Sequence, residues 1–226
     1  MSHDPSRGRT ARTVKRGMDV LGAATLLVLL SPVLALVAAA LAVLDGPPVL
    51  FRQLRPGLGG KPFCILKFRT MRPLRPGEAP YWSDADRVTR LGRFLRATSL
   101  DELPELWNVL EGEMSLVGPR PLLVEYLDTY SREEGRRHDV PPGITGWAAV
   151  NGRHALKFHD RLKLDLWYVD HWSLWLDVRI LARTAREVLW RHGVATTQDI
   201  DEIDAPLPRP ASALRGVGQD PGGARR

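Results

Sequence analysis

"VLGAATLLVLLSPVLALVAAALAVL", Val20–Leu44, is a run of 25 residues without a charge. As one straight helix it would reach roughly 37 Å, against about 30 Å of bilayer hydrocarbon. A cleaved leader has a shorter apolar core, and a soluble domain rarely buries so long an apolar helix. The run therefore reads as a membrane segment, and it divides the chain. Residues 1–46 form a basic N-terminus and membrane helix, 47–203 a polar folded domain, and 204–226 a Pro-, Gly-, Ala- and Arg-rich tail too poor in apolar residues to fold.

Ser31-Pro32 lies at the centre of the run. Proline has no N–H and its ring crowds the carbonyl one turn back, so a break or kink is expected. The freed carbonyl needs a donor in lipid, and the Ser31 hydroxyl is at hand. Cations lie on both sides of the run, Arg12, Lys15 and Arg16 before it and Arg52, Arg55 and Lys61 after it. Such clusters mark the cytoplasmic ends of membrane helices. A re-entrant helix–break–helix keeps both flanks on one face, whereas a kinked span parts them. The residues alone leave both open.

The formal charge of +6 is concentrated at the ends of the chain. Residues 1–16 carry +4, residues 204–226 carry +2, and the stretch between is neutral. A basic face for nucleic acid is therefore not expected. The single cysteine, Cys64, cannot close an internal disulfide, which suits a reducing compartment. No Cys/His group has zinc-site spacing.

Beyond the membrane run the pattern is α+β and mostly helical. "PVLFRQ" and "FCILKFRTM", separated by the Gly/Pro-rich "LRPGLGGKP", read as a small β-hairpin. In "VTRLGRFLRATS", Val88, Leu91, Phe94 and Leu95 recur at helical spacing with Arg90, Arg93 and Arg96 between them. This suits a basic amphipathic helix at a membrane interface, or a solvated helix packed on the core. "ELWNVLEGEM" and "VEYLDTYSREEGRRHD" read as helices, and "SLVGPRPLL" as a loop. "VPPGITGWAAVNGR" reads as loop with a short strand, and residues 157–193 as two helices parted near His171–Ser173.

"TSLDELPELW", residues 98–107, sets Asp101 beside Glu102. Ser99 and Glu102 fit the S-x-x-E capping box of a helix start. With Ser99 as N-cap, Pro104 falls at the fifth helical position, where its missing N–H breaks a bond. With Asp101 as N-cap it falls third, where the N–H is free anyway. Either start puts Asp101 in the positive field of a helix N-terminus, which favours a carboxylate and attracts phosphate. Adjacent helical residues do not face each other, so the two acids would have separate roles.

The runs "KFRTM", "LGRFLRATSLDELPELWNVLEGEMSLVGPRPLL", "RRHDVPPGITGWAAVNGR" and "LDLWYVDHWSLWLD" occur in an order and spacing that resemble the monotopic bacterial sugar transferases. These are phosphoglycosyl transferases that begin glycan and exopolysaccharide assembly, and the likeness covers residues 15–195 in a minimal catalytic form. The resemblance implies a catalytic domain at residues 47–203 on the cytoplasmic face of the bacterial inner membrane. It also implies a re-entrant membrane helix broken at Ser31-Pro32. The implied reaction moves a sugar-1-phosphate from a UDP-sugar to undecaprenyl phosphate, releases UMP, uses Mg2+, and passes through a phosphosugar on an aspartate.

Residue by residue, the resemblance makes Asp101 the nucleophile and first metal ligand, with Glu102 as its catalytic companion. Lys67 and Arg96 match positions near the dyad, and Arg120, Pro121 and Arg153 match positions tied to substrate. Arginine's planar fork suits phosphate. Asp177 is a second candidate for the metal, balanced by a plain reading as a helix acid. Trp147, Trp167, Trp172 and Trp175 are candidates to stack on uracil, though packing is the simpler account of each. Pro141 and Ala149 depart from the family's usual basic residue and glutamine and bear on the identity of the sugar. UDP-sugar, undecaprenyl phosphate and membrane lipids are the implied partners, with no nucleic acid. A second copy or downstream glycosyltransferases are further partners to consider. A membrane-anchored scaffold without activity is the competing reading, and the intact Asp101-Glu102 pair argues against it.

Overall fold

The computed structural model describes residues 5–76, 84–152 and 157–190. Arg153, the tail from 204 and the expected helix stop at Gly193 lie outside those residues. The helices are α1 (Pro5–Leu44), α2 (Asp84–Arg87), α3 (Arg90–Thr98), α4 (Glu105–Glu111), α5 (Arg132–Gly135), α6 (Trp147–Val150), α7 (Phe158–His171) and α8 (Leu174–Trp190). The strands are β1 (Leu50–Pro56), β2 (Pro62–Phe68), β3 (Ser115–Val117) and β4 (Gly143–Thr145).

One expectation is not met in α1. The helix runs through Ser31-Pro32 without interruption, so the sequence does not form two separate helices here. The chemistry expected at the proline is nonetheless present: Ser31 Oγ donates to Val28 O at 2.8 Å. That carbonyl is the one Pro32 would have satisfied with an N–H. The hydroxyl stands in for the missing donor, and the helix continues.

Both halves of α1 pack on the same folded domain. Ala23, on the N-terminal side of the proline, is fully buried in the main core with Phe63, Leu106, Val109 and Leu116. Leu41, on the far side, is fully buried with Phe68 and Leu95. Each fully buried leucine contributes roughly 1.5–3 kcal/mol over leaving it in water. The opposite side of the helix is bare: Leu21, Val28, Leu29, Leu36, Val43 and Leu44 are exposed. Only 11% of the most apolar window is buried, which separates α1 from the core helix of a soluble domain.

β1 and β2 form the expected antiparallel hairpin, with Leu50 opposite Phe68 and Pro56 opposite Pro62. Side chains alternate across a strand, so Phe63, Ile65 and Lys67 share one face of β2. The first two enter the main core, and Lys67 continues their line. Phe68 points the other way, into the cluster around Leu41.

β3 and β4 pair in parallel, with Ser115 opposite Gly143 and Val117 opposite Thr145. The sequence pattern suggests loop at β3, since three residues carry no usable periodicity. Here two glycines are required by contact. A Cβ on Gly143 would lie 2.0 Å from Gly118 N, and one on Gly118 would lie 2.3 Å from Pro141 O. The "GPRP" loop and the "PPGITG" loop are thereby pressed backbone to backbone. The segment expected as one helix at 124–139 is instead a 3-10 turn (Val124–Thr129), α5, and a second 3-10 turn (Arg136–His138).

Candidate active site

α3 starts at Thr89, whose hydroxyl accepts from Gly92 N at 2.8 Å, and ends at Ser99. Ser99 is left-handed, with φ 58°, and its N–H donates to Arg96 O. It closes α3 and makes no side-chain cap for the next turn. The expected capping box is therefore absent. A serine that ends one helix in the left-handed region lacks the extended backbone of an N-cap.

The dyad occupies that next turn, a 3-10 helix from Leu100 to Glu102. Glu102 N donates to Ser99 O and Leu103 N to Leu100 O. Pro104 has no N–H to extend this ladder, so α4 begins only at Glu105 with Pro104 before it. The helix start falls later than either position read from the sequence. The tight turn, rather than a long helix N-terminus, presents Asp101 and Glu102.

Four elements converge on these acids. Lys67 Nζ, from β2, donates to Glu102 Oε1 at 3.0 Å. Arg120, from the loop after β3, engages the same carboxylate at two points, Nη2 to Oε1 and Nη1 to Oε2, the latter at 3.3 Å. Glu105, from the first turn of α4, places Oε1 3.1 Å from Lys67 Nζ. Arg96, from α3, donates from Nε to Thr70 Oγ1 at 3.0 Å, and its charge acts on Asp101.

The three carboxyls have different electrostatics. Burial raises Asp101 above the usual carboxylate range, the charge of Glu102 adds to this, and Lys67, Arg120 and Arg96 pull it back in part. Burial would raise Glu102 too, but Arg120 and Lys67 outweigh it and hold that carboxyl well below its ordinary value. Burial pushes Glu105 up to about 7, opposed chiefly by Lys67. Arg120 is held charged by Glu102. The turn thus carries one firmly ionised acid gripping two cations, beside a buried acid with no such grip.

The other expected residues are more scattered. Pro121 sits next to Arg120 along a cleft shared with Pro56, Arg137 and His138. Arg137 Nη2 donates to Arg120 O at 2.7 Å and to Asp165 Oδ2 at 2.7 Å, which fixes the loop backbone. Neither Arg137 nor Asp165 stands out in the sequence. Asp177 is not near the dyad: it is buried under α1, where it pairs with Lys15 at 2.9 Å and accepts from Tyr168 OH at 2.7 Å. Trp147 and Trp167 stack on each other at 4.6 Å, Trp172 Nε1 donates to Asp177, and Trp175 is exposed. Glu105 is the residue that sequence reasoning misses at the site itself. The signal available is its spacing, three residues beyond Glu102 across a proline.

Among the described residues no group of three or more His, Cys, Asp or Glu side chains could cage a metal. Mg2+ takes one or two carboxylates and otherwise substrate oxygens and water, so it does not require such a cage. Asp101 fits as donor, since a carboxyl raised by burial is one that a nearby cation would compensate.

This dyad, with its lysine and its looped arginine, lies inside a wider match. The sequence model of the bacterial sugar transferase family covers residues 10–191. The chain belongs to the bacterial sugar transferase family. It is 47% identical over 187 residues to the uncharacterized sugar transferase EpsL of Bacillus subtilis (strain 168), spanning 83% of this chain and 93% of that one. It is 46% identical over 185 residues to the UDP-glucose:undecaprenyl-phosphate glucose-1-phosphate transferase of Caulobacter vibrioides, over 77% of this chain and 69% of that one. An Escherichia coli (strain K12) protein of that same name is 43% identical over 76% of this chain, which spans 39% of its length. The motif-level resemblance and these matches agree on the family.

Proposed function

We propose that this sugar transferase moves a sugar-1-phosphate from a UDP-sugar to undecaprenyl phosphate and releases UMP. The observation that carries the reading is a buried aspartate in a tight turn, flanked by a carboxylate that anchors a lysine and an arginine. A pyrophosphate and an attacking lipid phosphate are both anionic. Transfer between them depends on positioning and charge neutralisation.

In the first step an Asp101 carboxylate oxygen attacks the phosphorus that bears the sugar. The bond from that phosphorus to the UMP oxygen breaks, and UMP leaves with the electron pair. In the second step an oxygen of undecaprenyl phosphate attacks the same phosphorus and the Asp101–phosphorus bond breaks. The aspartate returns and the sugar is carried on a lipid diphosphate. Dividing the transfer in this way spares the site from holding both bulky substrates at once. Glu102 is ionised and doubly engaged, so it suits holding Lys67 and Arg120 in place better than donating a proton. Mg2+, held by Asp101 together with substrate phosphate oxygens, would neutralise phosphate charge.

α1 enters the membrane from one side. Ala23 and Leu41 are eighteen residues apart, about 27 Å along a helix, yet both are buried in the same domain. Contact with the domain at both positions supports a helix that returns to, or stays on, one face rather than crossing the bilayer. The bare apolar face between them, with exposed Phe94, Arg90 and Arg93 on α3, suits a chain seated at an interface. The cationic flanks favour the cytoplasmic face. The initiation of exopolysaccharide or another glycan is the pathway role this chemistry fits.

The test is UMP release by the purified protein in nanodiscs, given Mg2+, undecaprenyl phosphate and a panel of UDP-sugars. Asp101→Asn should abolish both UMP release and a trapped phosphosugar adduct. No UMP from any donor would favour a scaffold without activity. An active Asp101→Asn variant would remove the covalent step.

A further inference from the structure

We propose that Glu105 is a positioning residue for phosphoryl transfer, which shares the Lys67 ammonium with Glu102 and thereby aims that cation at the substrate phosphate beside Asp101. The inference rests on the transferase reading and assigns a role that the dyad alone does not require.

The geometry is specific. Glu105 is 1% exposed. Its Oε1 lies 3.1 Å from Lys67 Nζ, close enough for an ion pair, yet that oxygen makes no aligned hydrogen bond. Lys67 meanwhile donates to Glu102 Oε1 at 3.0 Å. The ammonium is held between two carboxylates, bonded to one and drawn toward the other. Such a group has three N–H donors on a flexible stem. Two carboxylates on one side fix the direction of the stem and leave a donor for a phosphate oxygen.

The placement follows from Pro104. Glu102 closes the 3-10 turn and Glu105 opens α4, with the helix restarted between them. Both acids consequently face the Lys67 end of β2. The alternation of β2 brings Lys67 there along the line of Phe63 and Ile65.

The ion pair with Lys67 and the first-turn position favour an acid at 105, but burial outweighs them. A buried carboxylate that must share its lysine with a second acid is destabilising relative to a neutral side chain of the same shape. Burial lifts its carboxyl to about 7, in agreement with that cost. A costly buried acid beside a reactive centre is the pattern of a group kept for function.

The experiment compares Glu105→Ala and Glu105→Gln with wild type for UMP release in nanodiscs. Thermal midpoints are measured on the same preparations. Glu105→Ala should lower kcat by about tenfold or more while KM for the UDP-sugar stays within about twofold, the sign of an interaction used in the transition state. Glu105→Gln keeps the shape and an acceptor oxygen, so it should recover part of kcat and match or exceed wild type in thermal midpoint. In a Lys67→Ala background, Glu105→Ala should cost little more, because its effect travels through Lys67.

Wild-type kcat in Glu105→Gln and in Glu105→Ala would overturn the proposal. So would a raised KM at unchanged kcat, or full additivity with Lys67→Ala. If Glu105→Ala does not fold, Glu105→Gln and its own additivity with Lys67→Ala decide. A wild-type protein that releases no UMP defeats the transferase reading itself, a result separate from all of these.

Discussion

Glu102 and Glu105 are three residues apart, bear the same carboxyl, touch the same lysine, and differ in how readily they give up a proton. Arg120 makes the difference. It forks onto Glu102 and reaches Glu105 only through its field. This split sets the pH dependence of stability. Below about pH 4.5 Glu105 is protonated in folded and unfolded chains alike, and it carries no penalty. As pH rises, the unfolded chain releases the proton first and the folded one keeps it until about 7. Stability falls across that window by about 3 kcal/mol and is level above it. Glu105→Gln removes this term, so its thermal midpoint should gain on wild type between pH 5 and pH 8. A constant gap across that range would contradict the assignment. Glu102 acts in the opposite sense, stabilising at neutral pH and losing that as acid protonates it.

Arg120→Lys tests the fork. A lysine cannot meet both oxygens of Glu102, and one lost charge-assisted bond of about 1.5–3 kcal/mol predicts a roughly tenfold to hundredfold fall in kcat/KM. The dyad is legible from its motif. Glu105 is not, because an acid in an amphipathic helix ordinarily reads as solvated. Ser99 misleads because S-x-x-E does not reveal that the preceding helix ends on the serine, in the left-handed region.

At the scale of elements, short pieces are the hardest to read. The hairpin announces itself by two apolar runs around Gly59 and Gly60, both of which adopt positive φ. β3 has three residues, and its parallel partner lies twenty-odd residues on, so no local pattern reports the pairing. The fixation of Arg120 depends on that pairing. Gly143→Ala puts a methyl 2.0 Å from Gly118 N, where only backbone can move. It should destabilise by about 1–3 kcal/mol or more, seen as a lower thermal midpoint. Activity should fall further than stability alone explains, because the loop that carries Arg120 is displaced. A variant with a wild-type midpoint would mean that the two loops are not in contact.

For the whole molecule, the sequence exposes the anchor and hides its seating. The uncharged run is plain, but only tertiary contact shows that both halves of α1 belong to one domain. Its base is locked by charge. Lys15 Nζ lies 3.0 Å from Asp19 and 2.9 Å from Asp177, two buried acids. Asp19 also accepts from Leu116 N, and Arg16 donates to the Val109 and Leu110 carbonyls at the end of α4. Lys15→Met would leave both acids without their cation and should cost about 3–5 kcal/mol, read as thermal or proteolytic instability in nanodiscs. For topology, Arg12→Cys and Arg52→Cys in a Cys64→Ser background should label from the same side of a sealed vesicle. Labelling from opposite sides would make α1 a true span.

The two-sided grip of the domain on α1 has a kinetic consequence. With α1 seated at the interface as proposed, it would fix how high the dyad stands above the leaflet, since neither end of the helix can rise without tearing out a buried side chain. In the proposed reaction the nucleotide-sugar then arrives through three dimensions of solution. The lipid phosphate wanders in two, at a depth set by its own headgroup. With Asp101 held at one altitude, every lateral encounter brings the acceptor in at the same level, and only rotation and lateral approach remain to be searched.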